Sequence, residues 1–433
     1  MPYEQTEVIE VRSWNRTVGA VAEDPRSGFY AFEYDAEWVA SGIELSPLRM
    51  PLAPAVYVFP ELSQLTYQRL PPMLADSLPD RFGNALVTAA LVADGIPESA
   101  ISPLDRLAYT ANRGMGALEY RPPLNRRDQH PTAIQLADLV VAARSALHGD
   151  FADDASTHDA LAQLIQVGTS AGGARPKAVI AFNPSTGQIR SGQLPSTEGF
   201  EYWLIKLDGV DENDEFIASQ GYGRVEFAYS RMAAAAGIDM MECRLLEESG
   251  RAHFMTRRFD RVGSGPDAQK IHVASLCALD HLDFNLQDTH SYAQYLNAVD
   301  QLDLGADARS QAFRRCVFNV MAANRDDHTK NVAFCCSEDG TWSLAPAFDV
   351  NHSYNPSGVW TQRHQMSVNG KFEHIVEGDV LEMADRFAVP GSRAILREVQ
   401  SAVDRWAHFA EDAHVDDEHV ERIARDIATF RLV

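Results

Sequence analysis

Apolar positions fall first into short aromatic and β-branched runs and later into helical spacings. Residues 7 to about 60 read as β-rich, with Val18-Gly19-Ala20-Val21 and Gly28-Phe29-Tyr30-Ala31-Phe32-Glu33-Tyr34 separated by Pro-Arg-Ser-Gly. The stretch 85–92 predicts a helix. The unit closes with Arg113-Gly114-Met115-Gly116-Ala117-Leu118-Glu119-Tyr120, whose glycines suit a close approach of backbone. Residues 121–131 form a polar, Pro-rich connector and the first boundary candidate. Two helices are expected over 134–147 and 160–167, then a Gly-rich loop over 168–177. Strand patterns follow over 178–182 and 202–207. Periodicity predicts a helix over 225–236 with Gly237 at its C′ position. A strand over 252–256 runs into Arg257-Arg258-Phe259-Asp260-Arg261. From about Ala274 the pattern turns mostly helical. Phe313, Cys316, Val317, Val320 and Met321 share one helix face, and Ile395, Val399, Val403 and Trp406 repeat such a pattern. Strands with one helix, a connecting segment and then helices make an α+β, two-lobe order.

Composition adds limits rather than detail. The 433 residues are enough for two or three packed domains, and 45% hydrophobic with 23% charged residues is ordinary for a soluble globular protein. A net charge of −23 argues against a dedicated nucleic-acid or anionic-membrane surface, so phosphate binding must be local. The five cysteines are scattered without metal-ligand spacing, which predicts reduced thiols and a cytoplasmic protein. Cys335 and Cys336 are expected on a strand, facing opposite sides. The N-terminus lacks an apolar signal core, and no run approaches a membrane span.

Candidate chemistry centres on Asn324-Arg325-Asp326-Asp327-His328-Thr329-Lys330-Asn331. Asp326 and Asn331 stand five apart, the spacing of a protein-kinase catalytic loop, where the Asp receives the substrate hydroxyl proton and the Asn holds magnesium. Asp327 is the rival base, one residue short of that spacing. Asp349, after Ala347-Phe348, offers a second hard oxygen ligand suited to Mg²⁺. Zinc is disfavoured because no His or Cys pair accompanies His328, which could touch a phosphate or orient Asp326. Lys206 lies at the end of an apolar strand, where it could snorkel to the surface or contact phosphates. Glu226, at the start of the next helix, would complete the strand-lysine and helix-glutamate pair of kinases, with Tyr229 or Arg231 as rivals for the inward face. The loop Gly168-Thr169-Ser170-Ala171-Gly172-Gly173-Ala174-Arg175-Pro176-Lys177 could ring a phosphate with its N–H groups, or be a plain turn; it is not a Walker A motif.

With these residues in view, the chain resembles the HipA family of serine/threonine kinases, the toxins of bacterial toxin–antitoxin pairs. Leu78-Pro79-Asp80-Arg81-Phe82-Gly83 and Gly114-Met115-Gly116-Ala117-Leu118 look like its N-terminal subdomain. Gly172 to Lys177, Arg258 to Arg261, Asp326 to Asn331 and Ala345-Pro346-Ala347-Phe348-Asp349-Val350 look like its kinase core. Each motif is short, but together in this order they are specific. The resemblance implies a bilobal protein-kinase-like fold binding ATP and Mg²⁺ in the interlobe cleft. It divides the chain into a β-rich subdomain (1–122), the rest of the N-lobe with loop and hinge (123–262) and a helical C-lobe (263–433). It implies Asp326 as catalytic base and Asn331 and Asp349 as metal ligands. Lys206, His328, Lys330 and Glu226 would serve ATP, and Arg258-Phe259-Asp260 would be the hinge whose backbone reads adenine. Gly172, Gly173 and Lys177 would form the phosphate loop, with autophosphorylation on Ser170 or Thr169. Implied partners are a protein substrate, an aminoacyl-tRNA synthetase in known cases, and a helix-turn-helix antitoxin of HipB type that alone contacts DNA. A small-molecule phosphotransferase and a nucleotide-binding scaffold are the alternatives. The chain departs from the pattern at Asp327, where characterised members often carry Gly, and at Arg175-Pro176 before Lys177.

Overall fold

A computed structural model describes residues 6–124, 176–192, 197–209 and 221–432. The helices expected over 134–147 and 160–167, and Thr169, Ser170, Gly172 and Gly173, lie outside the described residues. The chain divides into two compact units, residues 1–220 with 246–274 and 336–341, and residues 221–245 with 275–335 and 342–433.

In the first unit, β1 (Val8–Ser13), β2 (Arg16–Glu23), β3 (Tyr30–Tyr34), β4 (Val56–Tyr57) and β5 (Glu119–Arg121) form a sheet in the order β4-β3-β2-β1-β5. Ile9, Val11, Val18, Val21 and Phe32 are wholly buried in it. Gly19 permits the β2–β3 approach, since a Cβ there would sit 2.1 Å from the Glu33 carbonyl oxygen. The expected helix spans Arg81–Ala93, one turn earlier than its apolar run, because the Asp80 carboxylate caps the Gly83 N–H at 2.7 Å.

A second sheet contains β6 (Lys177–Phe182), β7 (Ile189–Ser191), β8 (Glu201–Lys206), β9 (Cys243–Glu248) and β10 (Arg251–Arg257) in the order β7-β6-β8-β10-β9. The antiparallel register pairs Lys177 with Lys206 and Lys206 with Phe254.

The turn after β10 ties this sheet to the N-terminal one. Asp260 is wholly buried and accepts from the Gly116 N–H (2.7 Å), Arg258 Nε (2.8 Å) and Nη2 (2.6 Å), and Arg261 Nη1 (2.7 Å). The two guanidinium groups also donate to the Gly114 and Gly116 carbonyls. Gly116 adopts a φ of 79°, and a Cβ there would meet Val273 N at 3.1 Å. Trp14 Nε1 adds a bond to the Lys270 carbonyl at 2.8 Å.

The second unit is mostly helical. Tyr222–Ala235 ends at Gly237 with a φ of 79°, the conformation expected of it. Gly305–Met321 buries Phe313, Cys316, Val317, Val320 and Met321, the face read from their spacing. Ile395 and Trp406 do not share one helix. Ser392–Val403 ends at Asp404, and Trp406 opens a separate helix, Trp406–Asp412, followed by Asp417–Thr429.

None of the five cysteines, all among the described residues, is in a disulfide. Cys335 and Cys336 occupy the strand Ala333–Cys336, and burial of both shows that each face of it is covered. No helix among the described residues is long and apolar enough to cross a membrane.

Candidate active site

The loop that carries Asp326 begins where Gly305–Met321 stops. The Ala322 N–H closes the last turn on the Phe318 carbonyl, and Ala323 takes a left-handed φ of 53°, which turns the chain off the helix axis. Residues 324–328 run without regular structure, then a 3₁₀ turn, Thr329–Asn331, leads toward the strand Ala333–Cys336. Thr329 is wholly buried and fixes that turn by donating to the Leu282 carbonyl at 2.7 Å.

Neighbouring carboxylates in this loop have opposite surroundings. The Asp326 side chain is 43% exposed, and His328 Nε2 lies 3.6 Å from its Oδ1. The Asp327 side chain has no exposure. Its Oδ2 accepts from the Tyr292 hydroxyl (2.7 Å) and His364 Nδ1 (2.8 Å), and its Oδ1 from the Gln365 N–H (2.8 Å). Burial pushes the Asp327 carboxyl upward, but His364, the Gln365 N–H and Tyr292 outweigh it and hold the group below its ordinary value. Tyr292 moves the other way: burial, then the adjacent Asp327 charge, raises its hydroxyl well above the usual range.

The backbone of Asp326 is also held. Ser353 Oγ accepts the N–H of Arg325 at 2.6 Å and of Asp326 at 2.9 Å, while donating to Asn324 Oδ1 at 3.2 Å. Asn331 Nδ2 donates to the Asp326 carbonyl at 2.8 Å, closing the five-residue spacing into a ring. The Arg325 guanidinium stacks on Phe430 (3.9 Å) and Tyr354 (4.7 Å) and donates to the Gln362 carbonyl.

Asp326, His328, Asn331 and Asp349 line one pocket within the second unit, with Phe348 and Ala347 beside them. Asp349 takes a left-handed φ of 54°, a conformation that non-glycine residues rarely adopt. The metal test is one of donor chemistry. Asp326, Asp349 and the Asn331 side-chain amide, in a lining that also includes Asp327 and no thiolate, suit a hard cation that retains waters and bridges phosphates. No cluster of three or more His, Cys, Asp or Glu able to hold a metal exists among the described residues, so a protein-only cage is not what these residues provide. Lys330 Nζ lies 5.5 Å from the Phe284 ring centre, and that ring packs on His328 at 5.3 Å.

In the first unit Lys206 is 9% exposed and Lys177 4%, adjacent across the β6–β8 pair, so neither strand lysine snorkels freely to water. In the second unit Glu226 is buried on its helix, and so is Tyr229, whose hydroxyl donates to the Ala322 carbonyl at 2.7 Å. Arg231 is exposed. The Arg258 guanidinium is held by Asp260, and the Arg258 N–H donates to the Tyr202 carbonyl at 2.9 Å. The Arg258-Phe259-Asp260-Arg261 motif is in the first place a staple to Gly114 and Gly116.

A family model described as the HipA-like C-terminal domain matches residues 169–429, and one described as the HipA N-terminal domain matches 9–121. The chain belongs to the HipA family. Among solved structures, the Shewanella oneidensis MR-1 toxin–antitoxin complex of HipA, HipB and operator DNA aligns over 98% of this chain and 95% of that chain. The TM-score is 0.68 and the identity 15%. The Helicobacter pylori proinflammatory kinase CtkA aligns over 59% of this chain and 94% of that one, with 11% identity and a TM-score of 0.33, too low to define a shared fold. No curated protein matches the chain. The fold is the α+β HipA fold that the order of elements and motifs predicts.

HipA-type spacing points to Asp326, Asn331 and Asp349, but not to the groups that hold them. Ser353 and His364 come from the segment after Asp349, and Asn319 and Tyr292 from two helices. The one local signal was Asp327 itself, a second carboxylate directly beside Asp326.

Proposed function

We propose that this HipA-family chain is an ATP-dependent protein serine/threonine kinase. The observation that carries the reading is the contrast within Asp326-Asp327. Asp326, 43% exposed, lines a pocket with Asn331 and Asp349, whereas Asp327, which borders the same pocket, has no side-chain exposure and is occupied by three donors. Asp326 is the base that takes the proton of a substrate hydroxyl as the oxygen attacks the γ-phosphate in line. Asn331 and Asp349 would hold Mg²⁺, which when bound neutralises charge on the transferred group. His328 and Lys330 supply polar and cationic character beside the phosphates, and Lys206 a cation from the strand side. Glu226 is its assigned counter-ion. Residues 1–122, 123–262 and 263–433 serve as N-terminal subdomain, remainder of the N-lobe and catalytic lobe.

The same reading assigns autophosphorylation to Ser170 or Thr169 and phosphate contacts to Gly172, Gly173 and Lys177. A cellular protein, an aminoacyl-tRNA synthetase in the family's known cases, is the target. A helix-turn-helix antitoxin of HipB type is the partner, and the chain's charge of −23 leaves DNA contact to it. The related Shewanella protein was solved with HipB and operator DNA. A cytoplasmic location completes the proposal.

Incubation of the purified chain with γ-labelled ATP tests it. Label is expected on protein and on the peptide containing Ser170, and lost in Asp326→Ala and Asp349→Ala with thermal midpoints unchanged. Retained labelling in Asp326→Ala would overturn the assignment. Label on a metabolite instead of protein would favour a small-molecule phosphotransferase, and no ATP turnover a scaffold.

A further inference from the structure

The kinase reading leaves one buried charge in the loop without a task. Asp327 follows Asp326 directly, is buried, and already accepts from Tyr292, His364 and the Gln365 N–H, so the kinase reading gives it no proton-transfer or metal-binding role. A buried carboxylate is costly unless it is fully paired, so its retention calls for a physical role.

That role is visible in what its partners are attached to. Tyr292 opens the helix Tyr292–Gln301, and His364 and Gln365 precede the strand Met366–Ser367. The Tyr292 hydroxyl also accepts from Asn319 Nδ2 at 2.9 Å, and Asn319 Oδ1 accepts from Asn324 Nδ2 at 2.9 Å. Asn319 stands on Gly305–Met321, the helix from which the loop departs. The bonds therefore close a circuit: Asn324, Asn319, Tyr292, Asp327 and back along the loop through Asp326. A separate arm runs from Asp327 to His364 and Gln365, and Ser353 holds the Asp326 N–H from the same post-Asp349 segment.

We propose that Asp327 is a positioning residue that fixes the loop bearing Asp326 against Tyr292 on one side and His364-Gln365 on the other. A glycine at this position could make none of these side-chain bonds. In this chain the loop is held by a carboxylate and by the residues that complement it. The side chain touches no substrate. Its effect reaches the reaction only through the placement of Asp326 and Asn331, and this proposal rests on the kinase reading for the kinetic part alone.

The experiment has one arm that needs no activity. Hydrogen exchange is followed by mass spectrometry on a peptide covering 322–332 and on one within 305–321, in the wild type, Asp327→Ala and Asp327→Asn. The proposal expects faster exchange in the loop peptide of Asp327→Ala with the helix peptide unchanged, and an intermediate effect in Asp327→Asn, which keeps one carbonyl acceptor. Unchanged loop exchange in a folded Asp327→Ala, or equal acceleration in both peptides of Asp327→Asn, would overturn it. The second arm measures phosphate incorporation from γ-labelled ATP and binding of a fluorescent ATP analogue. Turnover should fall by about a hundred-fold in Asp327→Ala, with analogue affinity held and partial rescue in Asp327→Asn. Parallel loss of binding and turnover would indicate general damage and reject positioning. If the wild type transfers no phosphate, the kinase reading fails while the exchange result still decides the role of Asp327.

Discussion

Asp260 shows how much a single buried carboxylate can hold. Burial alone would raise its pKa, but Arg258 and Arg261 outweigh that and lower it, so it stays charged in the folded protein. Burial lowers Arg261 in turn to about 10, still cationic at neutral pH. Removing the carboxylate leaves two buried guanidinium groups without their counter-charge. Asp260→Ala should therefore cost about 3–5 kcal/mol, read from denaturant unfolding. Asp260→Asn should cost less, because an amide oxygen can still accept from the Gly116 N–H. Little change in Asp260→Ala would mean that water or another group compensates the two arginines.

At the scale of elements, local rules explain what was legible in the sequence. Apolar spacing located Gly305–Met321 and its buried face, and Gly237 was readable as a helix end because few other residues take a φ of 79°. Gly237→Ala should lose about 1–2 kcal/mol for that conformation, and its added methyl would approach Arg314 Nη1 to 2.9 Å. A thermal melt lowered by a few degrees is the expected reading. Trp406 misled because its spacing continued a pattern that the chain had already ended at Asp404. The site divided in the same way. Asp326, Asn331 and Asp349 sit in recognisable short motifs. Tyr292 and His364 reach Asp327 from 35 and 37 residues away, and no local pattern encodes such contacts. Arg258-Phe259-Asp260-Arg261 was recognisable as a motif, but its tie to Gly114, 144 residues earlier, was not.

Across the whole molecule, buried neutral histidines set the response to acid. His253 takes a hydrogen bond from the Asp208 N–H on Nδ1, and His272 faces the Leu45 carbonyl through Nε2 at 3.0 Å. Burial lowers both rings from 6.5 to about 4. Between those values the unfolded chain binds more protons than the folded one, so stability falls as pH drops from about 6.5 to about 4. Each ring contributes up to roughly 3 kcal/mol across that window. Unfolding midpoints at pH 7.5, 6 and 5 should decline in order, and a flat profile would contradict the neutral assignment of both rings. The depressed carboxylates Asp260 and Asp327 act in the opposite range. Their stabilisation is present above their ordinary value of 3.8 and is lost only at stronger acidity.

The bond between Asp260 and the Gly116 N–H also bears on inheritance. Two family models divide this chain, yet the Gly-Met-Gly turn of one is threaded onto the Arg-Phe-Asp-Arg turn of the other within a single compact unit. The N-terminal stretch is therefore not a cassette that recombination can exchange freely. A chimera would need the donor's turn and the recipient's arginines to match as lock and key, and mismatched pairs should be lost to misfolding before selection on activity could act.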